Sequence, residues 1–381
     1  MIREGCSLNS EEGSKMDISE ERRINKILRK SIQEFGLDLQ GLSVFTEAAT
    51  GPYLYGPIMA TLGGARKVYA ITADSRFGTK EYVQEQTLQA AFRFGVGHKL
   101  EVIFEKTKEK VHDCDIFTNS GFVRPFTREM ISWMKPTAVI PLMWETWEFR
   151  HSDIDLKPCK EHEILVMGTD ESRSPHSMYP YAGYVAMKLL FELGLEGYKT
   201  KTLLLGGGLG FGKTIYAHFN QLDMGITWFS DSHVESLPYK TLREHFLLYG
   251  YEYDAMLLAE HQNNVCLLGN EGLLSIESIK EINPSLCIGV IAGNVDIEGL
   301  RRSGIRFFPE EIRPFGYMSY QPYHLGPRPV LELYAAGLKV GESMARARQS
   351  GLTIEGAAVY ALKHSPAMDF TGSHAWLRTK V

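Results

Sequence analysis

The run Lys199-Thr-Lys-Thr-Leu-Leu-Leu-Gly-Gly-Gly-Leu-Gly-Phe-Gly-Lys-Thr214 constrains the fold more than any other stretch of the chain. A short apolar segment enters five glycines and leaves into a helix-like pattern. Glycine at such a place serves a turn with positive φ, and it lets backbone N–H groups approach a phosphate with no Cβ in the way. Strand, glycine turn and helix in succession predict a nucleotide-binding turn inside an α/β domain. The candidate cofactor-binding residues of this turn are Gly206, Gly207, Gly208, Leu209, Gly210, Phe211 and Gly212.

Two phosphate-binding patterns compete for the turn. Gly207 to Thr214 is a literal G-x-x-x-x-G-K-[ST], in which Lys213 would reach a terminal phosphate and Thr214 a magnesium ion. The dinucleotide pattern G-x-G-x-x-G fits with a flaw: starting from Gly206 and Gly208 it puts Phe211 at the third site, and a frame ending at Gly212 puts Leu209 at the second. Context favours the dinucleotide. The next apolar segment, Ile226 to Phe229, is followed by Asp231, 23 residues beyond Gly208, near the roughly 20 expected of a carboxylate that bonds an adenosine ribose. A phosphotransferase would want an aspartate at the end of a later strand, whereas Ala255 to Ala259 runs into Glu260-His261. A carboxylate at Asp231 favours NAD, because it repels the 2′-phosphate of NADP; His233 nearby keeps NADP open. An ATP- and magnesium-dependent enzyme, and a non-redox protein binding an adenosine ligand, stay as alternatives.

At 381 residues the chain exceeds what one core fills, so two domains are predicted. Residues 1–18 are polar and unpatterned and read as a flexible tail. Residues 19–183, with 330–381 returning, read as a substrate-binding and catalytic α/β domain. An apolar segment, 184–198, reads as a hinge helix, and 199–329 as a Rossmann-like nucleotide-binding domain. Each domain alternates short apolar runs with helical periodicity, the pattern of a doubly wound parallel sheet covered on both faces. An apolar helix from Val330 to Ala347 would return to the first domain and close the cleft.

In such sheets the loops after the strands carry ligands. Glu47 follows the first strand and is a candidate base, with Thr50 beside it; an N-cap or a surface ion pair is the structural alternative. Asn119 and Ser120 follow another strand and suit a carboxylate ligand or an Asx turn. Trp144-Glu-Thr-Trp-Glu-Phe-Arg150 packs two carboxylates, a guanidinium and two indoles into one loop. There Glu145 is a candidate acid or base and Arg150 a carboxylate clamp, unless both merely support packed tryptophans. His261 stands where a dinucleotide would present its reacting end, and His324 lies in a tyrosine- and proline-rich segment able to enter the cleft. Asn294 completes the expected cofactor set. No His, Cys or carboxylate cluster has metal-ligand spacing, so no metal site is expected.

A net charge of -5 gives no reason to expect nucleic acid as partner. Five widely spaced cysteines without a CxxC pair point to a reducing compartment. No stretch approaches the roughly 18 apolar residues of a membrane span, and the N-terminus lacks a signal-peptide core, so a cytoplasmic protein with no membrane partner is expected.

The order of first α/β domain, hinge helix, glycine turn, acidic end of the second strand and returning helix resembles the two-domain superfamily of D-2-hydroxyacid dehydrogenases and S-adenosylhomocysteine hydrolase. The segment Asn283-Pro-Ser-Leu-Cys-Ile-Gly-Val-Ile-Ala-Gly-Asn-Val-Asp-Ile-Glu-Gly-Leu300 is similar to the late Rossmann strand of those dehydrogenases, and Leu268-Gly-Asn-Glu-Gly-Leu-Leu-Ser275 to the entry of their preceding helix. The resemblance implies a Rossmann second domain, a ligand cleft between domains and a homodimer. It does not carry over catalytic residues: those dehydrogenases place an arginine after the strand where this chain has Ala292-Gly-Asn294. The expected activity is that of an NAD(P)-dependent oxidoreductase acting on a small polar metabolite.

Overall fold

The structure is a computed structural model that describes residues 18–377 apart from 174 and 176. The expected tail otherwise lies outside the described residues. The chain opens on a helix, Ile18–Phe35, whose Ile24, Ile27, Leu28 and Phe35 are buried in one stripe.

Two parallel sheets organise the rest. Strands β1 (Ser43–Glu47), β2 (Lys67–Ile71), β3 (Leu100–Ile103), β4 (Ile116–Phe117), β5 (Val139–Pro141) and β6 (Leu165–Thr169) form the first. The second comprises β7 (Lys201–Gly206), β8 (Gly225–Phe229), β9 (Ala255–Ala259), β11 (Cys287–Ala292) and β13 (Phe307–Phe308). Between them in sequence, β10 (Cys266–Leu268) and β12 (Asn294–Val295) pair only with each other. A last strand, β14 (Ala367–Met368), adds antiparallel to β6.

The first sheet runs β14-β6-β5-β4-β1-β2-β3, and the second β13-β11-β9-β7-β8. Each order reverses once, between β1 and β4 in the first sheet and between β7 and β9 in the second. Those reversals leave crevices at the carboxyl ends of the strands, where α/β proteins bind ligands. Both sheets are covered on two faces. In β7, Leu203 and Leu205 enter one core and Leu204 the other, as a two-residue period requires.

The helix Pro180–Glu192 links the sheets, starting earlier than its apolar pattern suggests. It buries Val185, Ala186, Leu189 and Leu190 against the second sheet. The helix Pro327–Gln349 returns to the first sheet and buries Leu331, Tyr334, Leu338 and Met344 in its core. Among the described residues no helix is long and apolar enough to cross a membrane.

Candidate functional site

The glycine turn begins where β7 ends. Gly206, Gly207 and Gly208 have φ of +90, +90 and +48°, and a Cβ on Gly206 would lie 2.4 Å from Glu260 Cα. Residues Gly208–Gly212 then form a π-helical turn leading into the helix Lys213–Gln221. The π turn stores one residue more between Gly208 and Gly212 than G-x-G-x-x-G spacing contains. Gly212, not Phe211, packs closely: a Cβ there would lie 2.7 Å from Gly206 O and 2.8 Å from the Trp228 ring. Trp228 Nε1 donates to Gly206 O at 2.7 Å and ties the turn to β8.

The groups that a phosphate-binding loop would use are engaged elsewhere. Lys213 Nζ pairs with Glu235 at 3.1 Å, and Thr214 Oγ1 donates to Gly210 O at 2.7 Å. Asp231 stands two residues beyond β8, exposed, with Oδ1 accepting from Tyr239 N at 2.9 Å. His233 stacks on Trp228 with ring centroids 4.9 Å apart.

Opposite this turn, the strand ends of the first sheet carry a row of buried and half-buried carboxylates. Glu145 follows β5 and accepts from Tyr179 OH at 3.0 Å, Trp147 Nε1 at 3.1 Å and Glu171 N at 3.3 Å. Burial raises its carboxyl above the ordinary range, and the charge of Asp170 adds to this, while the three donors pull the other way. Glu148 is pushed up to about 7, chiefly by burial and also by Glu145, against the pull of Arg150 and Arg124. Glu171, after β6, is raised well above the carboxylate range by burial and by Glu145, Glu148 and Asp170.

His261 completes this cleft from the second sheet. It follows Glu260, whose carboxylate accepts from Tyr239 OH at 2.6 Å and from the backbone N–H groups of Gln262 and Asn263 at 2.9 and 3.0 Å. The His261 ring lies 4.8 Å from Trp147 and 6.0 Å from Phe211, centroid to centroid. Burial lowers its pKa, favouring the neutral ring, against the pull of the Ala259 carbonyl and Glu260. Its Nδ1 lies 3.2 Å from Ala259 O, and a proton held there leaves the Nε2 lone pair as the basic atom. Tyr179 bridges the two halves, because its hydroxyl reaches Glu145 while its ring covers Gly210, where a Cβ would come within 1.8 Å of it.

Thus Glu145, His261 and the glycine turn, three features that stand far apart in sequence, come together. Glu47 lies further along the same row. It accepts from Phe122 N at 3.4 Å and Tyr334 OH at 3.5 Å, and burial raises its pKa against the pull of Arg124. The helix Pro327–Gln349 therefore covers Glu47 through Tyr334. Ser120 Oγ bonds Thr118 Oγ1 at 2.9 Å beside it, and Asn119, buried, leaves its Oδ1 without a protein partner. Thr50 precedes the 3₁₀ turn Gly51–Leu54 without a side-chain capping bond.

Other candidate residues take structural contacts. Arg150 donates to Asp153 at 2.9 Å and to Gly316 O at 3.2 Å and lies over the Tyr317 ring, clamping one lobe to the other. His324 is stacked between Tyr320 and Tyr323, centroids 4.1 and 4.0 Å away, and its Nδ1 is held by Gln321. This places it in a local aromatic stack beside the linking helix. Asn294 begins β12 and donates to Asn264 at 3.3 Å. Glu148, Glu171 and Tyr179 are site residues that the sequence does not single out. Their strand-end loops are visible there, but only the packing reveals which carboxylates face the cleft.

No protein-family model matches the chain, and no curated protein matches it. Among solved structures, a dipicolinate synthase subunit from Bacillus halodurans superposes with a TM-score of 0.51 at 12% identity, over 78% of this chain and 96% of that one. D-lactate dehydrogenase with NAD+ from Lactobacillus jensenii gives 0.44 at 11%, over 80% and 97%. The NAD+-bound 3-phosphoglycerate dehydrogenase of Entamoeba histolytica gives 0.43 at 13%, over 82% and 97%. At 12% identity the likeness to the dipicolinate synthase subunit is one of fold. The chain shares the fold of the dipicolinate synthase protein.

Proposed function

We propose that the chain is an NAD(P)-dependent oxidoreductase acting on a small polar metabolite held between the strand ends of the two sheets. The observation that carries this reading is the glycine turn, at the strand reversal of the second sheet, with three successive glycines at positive φ and Asp231 beyond the next strand. These residues fit a dinucleotide: a turn that accepts no Cβ, a helix N-terminus beyond it, and a carboxylate at the ribose position, which favours NAD over NADP. A bound nicotinamide would supply hydride transfer. The chain's own part is to orient the metabolite against the cleft and to move the accompanying proton at His261 Nε2.

Thermal unfolding of the purified chain with NAD, NADP, S-adenosylmethionine and Mg-ATP tests this reading, since a ligand of the folded state raises the midpoint by mass action. NAD is expected to give the largest shift, corresponding to about 2.7 kcal/mol at a hundredfold excess over its Kd. Asp231→Asn is expected to narrow the NAD/NADP difference. A shift with Mg-ATP alone would overturn the reading, and one with S-adenosylmethionine alone would make this a non-redox adenosyl site.

A further inference from the structure

Lys213 is the only lysine or arginine in the turn 206–214 or in the loop 230–237 that follows β8. Its Nζ reaches across to that loop and pairs with Glu235 Oε1 at 3.1 Å. The loop folds on itself and so fixes where Glu235 stands. Ser230 N donates to Leu237 O at 2.9 Å, and Ser236 Oγ lies 2.6 Å from the carbonyls of Ser230 and His233. His233 Nδ1 accepts from Glu235 N at 3.1 Å, which leaves the proton of a neutral ring on Nε2. The His233 ring stacks on Trp228, whose indole borders Gly212, the neighbour of Lys213. Asp231, the carboxylate expected at the adenosine ribose, stands near the start of the same loop and holds Tyr239 N with Oδ1.

One compact loop beside the turn therefore presents two carboxylates, Asp231 and Glu235, that would repel a phosphate. Against them stand two groups able to donate to one, His233 Nε2 and the ammonium of Lys213. Both partners of the ion pair are half exposed, so the pair adds little to stability. Its consequence is electrostatic, because Glu235 neutralises the one fixed cation of the turn and the loop. We propose that the Lys213–Glu235 pair is a second determinant of the NAD preference, acting with Asp231: removing the Glu235 carboxylate alone frees Lys213 to receive the 2′-phosphate of NADP. This rests on the dinucleotide reading above and adds to it the residues that choose between the two cofactors.

Calorimetric titration of the full chain with NAD and with NADP tests it, in the wild type, Glu235→Gln, Glu235→Gln combined with Lys213→Ala, and Glu252→Gln. The last is the control for net charge: Glu252 pairs with Lys201 at 2.7 Å, at the start of β7 rather than at its end. Glu235→Gln is expected to raise the ratio of NADP to NAD affinity about tenfold at low salt, with the gain shrinking as salt is added. Adding Lys213→Ala should remove most of that gain, and Glu252→Gln should move the ratio by less than about twofold. NAD binding with a ratio unmoved by Glu235→Gln, an equal rise in Glu252→Gln, or a gain that survives Lys213→Ala would overturn the proposal alone. Binding of neither dinucleotide by the wild type or by Glu235→Gln would overturn the dinucleotide reading and the proposal with it.

Discussion

Replacing Gly206 by alanine is expected to cost the fold about 3 kcal/mol or more and to remove dinucleotide binding. The backbone there has φ +90°, where an L side chain is strained, and the new Cβ would lie 2.4 to 2.6 Å from Glu260 N, Cα and Cβ. The obstacle is mostly the backbone of β9's end, which cannot yield as a flexible side-chain tip can. Relief would require β7 and β9 to part where Gly206 pairs with Ala259. Gly304 offers the control: its φ is +74°, yet nothing lies within 4 Å of the added carbon, so Gly304→Ala should cost only about 1 kcal/mol. Urea unfolding of the two variants measures the difference. Equal losses would show that the strand ends are not packed as described.

Glu148→Gln is expected to stabilise the protein at alkaline pH and to change it little at pH 5. Glu148 has its folded pKa raised from 4.5 to about 7. The folded state therefore binds more protons than the unfolded state between those values, so stability falls as pH rises through that window and then levels off. The groups that act on Glu148 are Glu145, Arg150 and Arg124, and Glu148 in turn acts on Glu171 and Tyr53. Glu145 and Glu171 are raised in the same direction, so the wild type alone would not isolate one residue. The difference between wild type and Glu148→Gln does. It should grow by about 2 to 3 kcal/mol from pH 5 to pH 8. A pH-independent difference would mean that Glu148 stays ionised and solvated.

Periodicity makes the long elements legible. The helix Ile18–Phe35 and the strands β7, β9 and β11 have the spacing that their burial demands. The helix Leu242–Tyr249 escapes because only Leu242 and Phe246 are buried, while Leu247, Leu248 and Tyr249 face outward and erase the stripe. The strand order of the first sheet and the antiparallel β14 depend on long-range pairing that no local pattern records. At the site, Glu145 and His261 are legible as strand-end residues, but their meeting is not, since it depends on how the two lobes close. The π turn is hidden for a related reason: an extra residue in a glycine motif reads as a mismatch until the backbone shows where it is stored. At His324 an imidazole among tyrosines looks the same in sequence whether it stacks on them or faces a ligand.

Backbone hydrogen–deuterium exchange with and without saturating NAD tests the central claim most directly, since it reports where on the chain the dinucleotide sits. Slowed exchange is predicted at the amides of Gly207 to Gly212 and in the loop from Ser230 to His233. NAD that binds yet protects only Glu47 to Leu54 and Thr118 to Ser120, at the strand reversal of the first sheet, would contradict the assignment, as would the absence of protection anywhere.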